Sequence, residues 1–403
     1  MAALLGAALA GCASSAAPPA ASSSTSSTAA SASSSVPGTP PATSASSSPG
    51  DADGLPPALE DEVTAALAGL DRRAQVAQLF VVGVPLADLS GAGALAAQGV
   101  GGIFLRGRST IAAGDLAAIT ARWAGPAPGL RPWIAADQEG GQVQALSGPG
   151  FRRLPSAVGQ GQLPAADLAA LADGMGADLA AGRVSLDLAP VADVVPAGTE
   201  AGNAPIGAHD RQYGSTPAAV VAAAGTVVGG LGAHGVTATL KHFPGLGRVR
   251  ENTDDNAGVT DTETTAGGKQ VAAFGTLSRA RERPFVMVSS ATYTQIDGSA
   301  PAVFSPVVIT DVLRGQLGFR GVVITDDVGQ AAAVQAVPAG DRAVRFLEAG
   351  GTLVLTVRAA VFPEMLDAVL ARDAADPAFA ATVDAAVRTA LVAKARAGLL
   401  APA

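Results

Sequence analysis

The sequence contains little of what most metal and nucleic-acid sites are built from. Its 403 residues include one cysteine and three histidines, which argues against a metal site of Cys and His ligands. Aromatic residues make up only 4%, and 26 basic against 34 acidic residues leave a net charge of -8. Nucleic acids and anionic membrane surfaces both attract basic patches, so neither is an expected partner. No metal or organic cofactor is implied, and acid–base chemistry falls mainly to carboxylates.

The single cysteine, Cys12, follows a run of small apolar residues at 2–11. The run is too short to span a bilayer and is typical of a secretory signal. Its ending, Leu9-Ala10-Gly11, resembles a bacterial lipobox, although no Lys or Arg precedes it. This predicts cleavage after residue 11, lipidation of Cys12, and a protein held by that lipid alone on the outer face of the cytoplasmic membrane. An ordinary signal peptide with an incidental cysteine is the alternative.

Residues 12–55 form the second predicted region, which after Cys12 is almost entirely Ser, Ala, Thr, Pro and Gly. Such a segment cannot bury enough apolar surface to offset the entropy lost on ordering. We therefore expect a disordered tether that holds a domain of residues 56–403 away from the membrane.

Within that domain, apolar runs alternate with Ala- and Leu-rich helical patterns. Eight runs are predicted strands: 76–84, 100–105, 132–136, part of 184–195, 236–240, 284–288, 321–325 and 352–357. Buried strands separated by helices indicate a parallel sheet covered on both faces. Eight such units favour a single (β/α)8 TIM barrel of the α/β class. A doubly wound sheet with a smaller second domain is the alternative.

Charged and polar side chains cluster where these strands end. Strands two to seven are followed by or carry Arg106 and Arg108, Asp137 and Glu139, Asp193, Lys241 and His242, Ser289 and Ser290, and Asp326 and Asp327. The carboxyl ends of barrel strands form one rim, so we expect these residues to converge there. The amino ends show no comparable cluster. This asymmetry predicts an enzyme.

Carboxylates with a Lys and a His around one pocket suit a polyhydroxylated substrate. A carboxylate that faces an anomeric carbon can act as a nucleophile, with a second group as acid/base. Adjacent strand residues point in opposite directions, so only one of Asp326 and Asp327 is expected to face the pocket. The other is expected to cap the following helix.

Several of these segments together resemble glycoside hydrolase family 3, and within it the single-domain exo-β-N-acetylglucosaminidases. They are 137–141 (DQEGG), 187–193 (DLAPVAD, against Asn-Phe-Ala-Pro-Val-x-Asp), 210–214 (DRQYG, against Asp-Arg-Ser-Phe-Gly), 241–245 (KHFPG) and 324–327 (ITDD). The resemblance extends over about residues 60–400, and the order of the segments makes it specific.

The resemblance implies a retaining mechanism through a covalent glycosyl-enzyme, with Asp326 as the nucleophile. It assigns the holding of sugar hydroxyls to Asp137, Arg211, Lys241 and His242. An ion pair that braces the barrel mouth is the alternative role for each. The implied substrate is a carbohydrate, namely cell-wall fragments that end in N-acetylglucosamine, and a monomer suffices for this activity.

One departure from the family concerns the acid/base. The related enzymes carry Asp-Ser-His in the loop after strand five, whereas this chain has Asn252-Thr253-Asp254. A carboxylate can serve as a general acid when burial or a nearby negative charge raises its pKa. Asp254 is therefore the candidate acid/base, and a plain turn-forming aspartate is the alternative.

Three other functions stay open at this stage. A family 3 glycosidase with another sugar preference, such as a β-glucosidase, is the first. Phosphorolysis is the second, because Arg248 and Arg250 in the same loop would suit a phosphate, or the lactyl carboxylate of a muropeptide, if they face the pocket. A glycan-binding lipoprotein without catalysis is the third, and the missing loop histidine motivates it.

Overall fold

The computed structural model of the protein describes residues 54–400. Cys12, the predicted signal segment and nearly all of the predicted tether lie outside these residues. The described chain contains eight barrel strands: β1 (Phe80–Pro85), β2 (Gly102–Arg106), β3 (Trp133–Ala136), β4 (Leu186–Asp187), β5 (Thr237–Phe243), β6 (Phe285–Val288), β7 (Val323–Thr325) and β8 (Val354–Thr356).

The eight strands are parallel and lie in the order β7-β6-β5-β4-β3-β2-β1-β8. Strand β1 pairs with β8 through Phe80 and Val354. The two ends of this sheet meet at a bridge between Ile324 and Leu353, next to which the Thr325 N–H donates to the Leu353 carbonyl at 2.9 Å. The structure confirms the predicted (β/α)8 barrel.

Helices connect the strands and cover the outside of the barrel. They are α1 (Pro57–Ala68), α2 (Arg72–Ala77), α3 (Ala92–Ala97), α4 (Ala113–Thr120), α5 (Ala157–Gly161), α6 (Ala165–Ala181), α7 (Pro217–Ala233), α8 (Lys269–Leu277), α9 (Ala339–Glu348), α10 (Phe362–Ala375) and α11 (Pro377–Arg396). A π-helix spans Val307–Gln316, and five short 3₁₀ turns lie in loops, including Gly207–His209 and Ala332–Val334.

Aromatic pairs fix helices to strands at two places. The Phe362 ring of α10 packs edge-on against Phe80 of β1, with centroids 5.3 Å apart. The Phe274 ring of α8 packs in the same way on Phe243 of β5, at 5.4 Å. All four rings are at least 98% buried, so these contacts hold the outer helices on the two strands through apolar burial.

Two predicted strand boundaries were wrong. Val76 and Ala77 belong to helix α2, which Asp71 caps by accepting the Ala74 N–H at 2.8 Å, and β1 begins only at Phe80. A short buried apolar run does not by itself distinguish helix from strand. The second wrong boundary is the end of β5: the strand was predicted to end at residue 240, but Lys241 and His242 lie inside it.

The fourth strand comprises only Leu186 and Asp187 and is therefore much shorter than the apolar run at 184–195. Pro190, three residues after Asp187, has no N–H to give to a sheet. Asp193, assigned to this strand from the sequence, therefore lies in the loop beyond it. Between residues 54 and 400, no helix has both the length and the apolar character needed to cross a bilayer.

Candidate active site

The carboxyl ends of the barrel strands surround a cavity of about 400 Å³. Twenty residues line it, and they include all six described residues that the sequence singled out: Asp137, Arg211, Lys241, His242, Asp254 and Asp326. Two further carboxylates, Asp255 and Asp327, also line the cavity, and the rest of the wall is uncharged. Residues almost 190 positions apart in the chain therefore meet at one rim, as the closed barrel requires.

The two aspartates after β7 have different surroundings. Asp327 is buried, and its carboxylate accepts hydrogen bonds of 2.8–3.1 Å from four backbone N–H groups, those of Gly329, Val357, Gln330 and Ala331. Burial raises the pKa of Asp327, and the backbone donors oppose that rise. Asp326 is half-buried and accepts one bond, from the Asp327 N–H at 2.8 Å. Asp326 is thus the less encumbered carboxylate of the pair.

Glu139 joins the two cations of the site. Its buried carboxylate accepts two parallel bonds from the Arg211 guanidinium, at 2.9 and 2.7 Å, and lies 2.6 Å from the Lys241 ammonium. Lys241 also donates to Asp137 at 3.0 Å. Burial by itself would raise the pKa of Glu139, but Arg211 and Lys241 together lower it to about 2.

The pairing keeps both cations charged. Burial lowers the pKa of the Lys241 ammonium, but the adjacent Asp137 and Glu139 carboxylates outweigh burial and raise it. The same holds for Arg211, whose pKa is raised by Glu139 against the effect of burial. Lys241 and Arg211 therefore line the cavity and form ion pairs at the same time, so the two roles that the sequence offered for them are not exclusive.

A folded loop fixes the position of Arg211. The preceding residue, Asp210, adopts a left-handed conformation with φ of 57° at the end of a 3₁₀ turn. The Arg211 Nη1 donates to the Pro205 carbonyl at 2.7 Å. Nearby, the Asn203 amide donates to two carbonyls of the loop after β5, those of Leu246 at 2.8 Å and Val249 at 2.7 Å. This loop is thereby tied to the strand that carries Lys241.

Lys241 and His242 both line the cavity although they are adjacent on one strand. Adjacent residues of a regular strand point to opposite faces. The register of β5 against β6 shifts between Leu240 and Phe243, and such an irregularity redirects side chains. This local departure from regular geometry gives the site two neighbouring polar groups where the strand pattern predicts one.

Asp193 orients His242. Its fully buried carboxylate lies 2.7 Å from His242 Nδ1 and also accepts the backbone N–H groups of His242, at 3.1 Å, and Leu246, at 2.7 Å. A carboxylate at Nδ1 assigns the proton to that nitrogen. Nε2 is therefore the ring nitrogen available to a molecule in the cavity.

Asp254 belongs to the loop after β5, which contributes residues 252–255 to the cavity wall. Backbone bonds of 3.0 Å run from the Ala332 and Ala333 N–H groups to the Asp254 and Thr253 carbonyls, so this loop is docked on the segment that follows Asp327. Burial, and then the negative charges of Asp326 and Asp327, raise the pKa of Asp254 to about 6. Solvent weakens these effects in part, because the Asp254 residue is exposed.

The remaining arginines considered from the sequence are not part of the cavity wall. Arg248 pairs with Glu263 at 2.7 Å on the surface, and neither Arg248 nor Arg250 is among the lining residues. Arg106 and Arg108 are exposed, and Arg108 donates to the Gln142 carbonyl. No arginine other than Arg211 lines the cavity within residues 54–400.

Sequence reasoning placed Glu139 at the rim without giving it a role, and it passed over Asp187 and Asn203. Glu139 carried a signal, because it lies two residues after Asp137 in the same motif. No sequence signal indicated the contacts of Asn203 or the burial of Asp187, since both depend on loops distant in sequence. The other two histidines lie outside the cavity wall: His234 pairs with Asp173 at 2.8 Å, and His209 contacts Gln142.

Comparison with known proteins gives consistent matches. A curated β-hexosaminidase of Stenotrophomonas maltophilia (strain R551-3) is 36% identical over 258 residues, which are 62% of this chain and 73% of that protein. The crystal structure of a β-N-acetylhexosaminidase from Beutenbergia cavernae is 45% identical with a TM-score of 0.74, over 81% of this chain and 98% of that one. A family 3 β-N-acetylglucosaminidase from a Paenibacillus species is 28% identical with a TM-score of 0.72, over 83% and 64%.

These matches confirm the prediction of a glycosyl hydrolase of the β-N-acetylhexosaminidase type. The sequence profile of the glycosyl hydrolase family 3 N-terminal domain matches residues 72–389, which include every barrel strand and every residue of the cavity wall. With this match over most of its length, and with the barrel and rim described above, the chain belongs to glycosyl hydrolase family 3.

Proposed function

We propose that the protein is a retaining exo-β-N-acetylglucosaminidase in which Asp326 is the nucleophile and Asp254 the acid/base. The observation that carries this proposal is that two carboxylates with unlike surroundings line one cavity and interact electrostatically. Asp326 directly follows barrel strand β7, and Asp254 lies on the loop after β5 with its pKa raised to about 6. Carboxylate pairs with this division of roles catalyse glycoside hydrolysis.

In the first step, an Asp326 oxygen forms a bond to the anomeric carbon while the bond from that carbon to the leaving oxygen breaks. Asp254 transfers its proton to that oxygen, and the aglycone departs as an alcohol. In the second step, Asp254 takes a proton from a water whose oxygen attacks the anomeric carbon. The bond to Asp326 breaks, and the sugar is released with its original configuration.

The deep part of the cavity suits the terminal sugar. The Lys241 ammonium has three N–H donors, two of which bond Asp137 and Glu139. Three groups are then available to the hydroxyls of one sugar ring. They are the third N–H donor of Lys241, the second carboxylate oxygen of Asp137 and the Nε2 atom of His242. Arg211 uses three of its five N–H donors on Glu139 and Pro205, and we assign it mainly to holding the cluster.

Water is the proposed acceptor rather than phosphate. The cationic side chains of the cavity wall already have carboxylate partners, and four aspartates besides Asp137 line it. A dianion that enters such a cavity meets like charges without a free cation. Turnover should therefore not increase when inorganic phosphate is added, and no sugar 1-phosphate should form.

The natural substrate that we propose is a peptidoglycan-derived glycan that ends in β-linked N-acetylglucosamine. Support for this finer assignment comes from the sequence, in which a lipobox-like segment before Cys12 predicts export and anchoring in the cell envelope. Glycan fragments of the wall are the polyhydroxylated molecules met at that location. Release of N-acetylglucosamine from purified muropeptides, measured by mass spectrometry, tests this assignment.

The class, the sugar and the nucleophile are tested together by release of 4-nitrophenol. The wild type should cleave 4-nitrophenyl N-acetyl-β-glucosaminide in preference to the β-glucoside, and Asp326→Ala should lose activity by a factor on the order of 10⁴ or more. No cleavage of either compound by a folded wild type would contradict the proposal and favour a glycan-binding protein. A 2-fluoro sugar should label Asp326 and leave Asp326→Ala unlabelled.

The acid/base is tested by leaving groups of different quality. Asp254→Ala should lower kcat/KM by roughly 10²–10⁴ on N,N′-diacetylchitobiose, whose leaving group needs a proton, and far less on a dinitrophenyl glycoside, whose leaving group does not. Azide should restore turnover and give the β-glycosyl azide. Asp255→Asn removes the same charge from the next residue and is the matched control. Equal losses on both substrates would assign Asp254 a structural role.

The pH dependence follows from the same carboxyl. A general acid must carry its proton in the free enzyme, and the pKa of Asp254 is about 6. With N,N′-diacetylchitobiose, kcat/KM should therefore fall about tenfold per pH unit above that value. Between about pH 6 and pH 7 this fall should vanish in Asp254→Ala, whose residual rate no longer depends on that proton.

A further inference from the structure

Asp187, at the end of β4, is a buried carboxyl that the mechanism above does not use. It is 0% exposed and is not part of the cavity wall. Its Oδ1 accepts the Gln138 N–H at 3.0 Å. Its Oδ2 is buried and has no hydrogen-bond partner in the described part of the chain. A buried polar atom without a partner in a native protein calls for an explanation.

The charges around Asp187 are already matched without it. Lys241 and Arg211 carry two positive charges, and Asp137 and Glu139 supply the two negative charges that pair with them. No cationic side chain of residues 54–400 forms an ion pair with Asp187. An ionised Asp187 would thus be an additional anion, buried with one N–H donor, and such a charge is strongly unfavourable.

We propose that Asp187 is a positioning residue that acts as a neutral carboxylic acid, holding the segment from Asp137 to Glu139 in place through the Gln138 N–H. While it is neutral, Lys241 stays shared between Asp137 and Glu139 and keeps its third donor for the sugar. Once it is ionised, a new negative charge competes for Lys241, and the affinity for the sugar falls. This inference rests on the proposed function for its kinetic consequences.

The electrostatic surroundings agree with this assignment. Burial is the main cause that raises the pKa of Asp187, to about 8, and the Gln138 N–H and Lys241 oppose it. Asp137 and Glu139 face Asp187 from the end of β3 and add to the rise. Tyr213 faces it from another loop and stays neutral, because burial raises the pKa of its own hydroxyl.

The test is a pH series of KM and kcat with 2,4-dinitrophenyl N-acetyl-β-glucosaminide. This leaving group needs no proton, so the ionisation of Asp254 does not mask the result. In the wild type, KM should rise about tenfold between pH 7 and pH 9 while kcat changes little. In Asp187→Asn, which keeps the Oδ1 acceptor and cannot ionise, KM at pH 7 should stay within about threefold and should not rise with pH. The same rise in Asp187→Asn would overturn the proposal.

A measurement on the wild type alone covers the case in which Asp187→Asn does not fold. Infrared spectra of protein with ¹³C-labelled aspartate should show the carbonyl band of a protonated carboxyl at pH 7, and the band should disappear by about pH 9. No such band at pH 7 would overturn the inference. If the wild type shows the band but cleaves no N-acetylglucosaminide, the proposed function is contradicted instead. If the wild type is active but its KM does not rise with pH, the positioning role of Asp187 is refuted.

Discussion

Two buried lysines, one at each end of the barrel, have opposite electrostatic surroundings. Lys241 lies at the carboxyl end of β5 and is 3% exposed, with carboxylates of Asp137 and Glu139 within 3.0 Å. Lys394, on α11, is 0% exposed and donates to the Gln78 side chain at 2.7 Å and to the Arg131 carbonyl at 2.8 Å. Gln78 and Arg131 precede β1 and β3, so Lys394 lies at the amino end.

The same burial gives these lysines opposite acid–base behaviour. Around Lys241 two carboxylates outweigh burial, and the pKa of the ammonium is raised. Around Lys394 the acceptors are neutral, and burial lowers the pKa to about 7. A buried cation therefore marks a reactive or binding site only where charges and a cavity accompany it, whereas neutral acceptors and closed packing indicate a structural role.

The largest effect should come from removing the charge of each lysine in turn. Lys241→Met leaves Asp137 without a cation and Glu139 with one, and breaking such a buried pair costs about 3 kcal/mol or more. We expect kcat/KM on 4-nitrophenyl N-acetyl-β-glucosaminide to fall at least ~100-fold, because the variant lacks both the ammonium donor to the sugar and the ion pairs with Asp137 and Glu139. Lys394→Met should leave kcat/KM nearly unchanged. Equal losses in the two variants would remove the distinction between the two ends.

The second prediction concerns the pH dependence of unfolding. The pKa of Lys394 is about 7 in the folded protein, against 10.5 for an ordinary lysine. Between these values the unfolded state binds more protons, so the free energy of unfolding contributed by Lys394 rises with pH, by up to about 1.4 kcal/mol per unit. Below pH 7 both states are protonated and the contribution is constant.

Urea unfolding at pH 8, 9 and 10 measures this slope. The difference in unfolding free energy between the wild type and Lys394→Met isolates it from Asp187, whose raised pKa acts in the opposite direction below about pH 8. The wild type should gain stability relative to the variant over this range. A constant difference would mean that Lys394 keeps its ordinary pKa.

A smaller effect is expected where the charge is kept and the geometry changes. Arg211→Lys retains a cation beside Glu139, but a lysine cannot form the two parallel bonds of 2.9 and 2.7 Å. KM should rise about tenfold with little change in kcat, because a displaced Glu139 shifts Lys241 toward it. An unchanged KM would show that the bidentate contact has no part in holding the sugar site.

The smallest effect should come from an ion pair that is outside both regions. Arg73 and Asp367 lie 2.8 Å apart with side chains 57% and 63% exposed. Such pairs contribute up to about 1 kcal/mol and are weakened by salt. Arg73→Ala should lower the free energy of unfolding by less than about 0.5 kcal/mol, and that difference should shrink at high salt.

Much of the site was predictable because it follows from chain order and barrel closure. The eight apolar runs fixed the fold, and the polar residues after them fixed the rim that carries Asp137, Lys241 and Asp326. The boundary of β1 was not predictable, because Val76 is buried in a helix and a buried helix turn looks like a strand in sequence. The sequence also did not show that Lys241 and His242 both face the cavity, since this depends on a register shift between β5 and β6.

Motif order and apolar periodicity are enough to predict the class of the molecule, an α/β barrel of glycosyl hydrolase family 3 with its charged residues at the carboxyl ends of the strands. The roles of those charges follow from the packing of the folded chain. It paired Glu139 with both cations, gave the backbone donors to Asp327 and left Asp326 open, and placed Lys394 among neutral acceptors. The physical reason is that apolar periodicity is local, whereas the ionisation of a buried group depends on partners and desolvation that arise only when distant segments pack together.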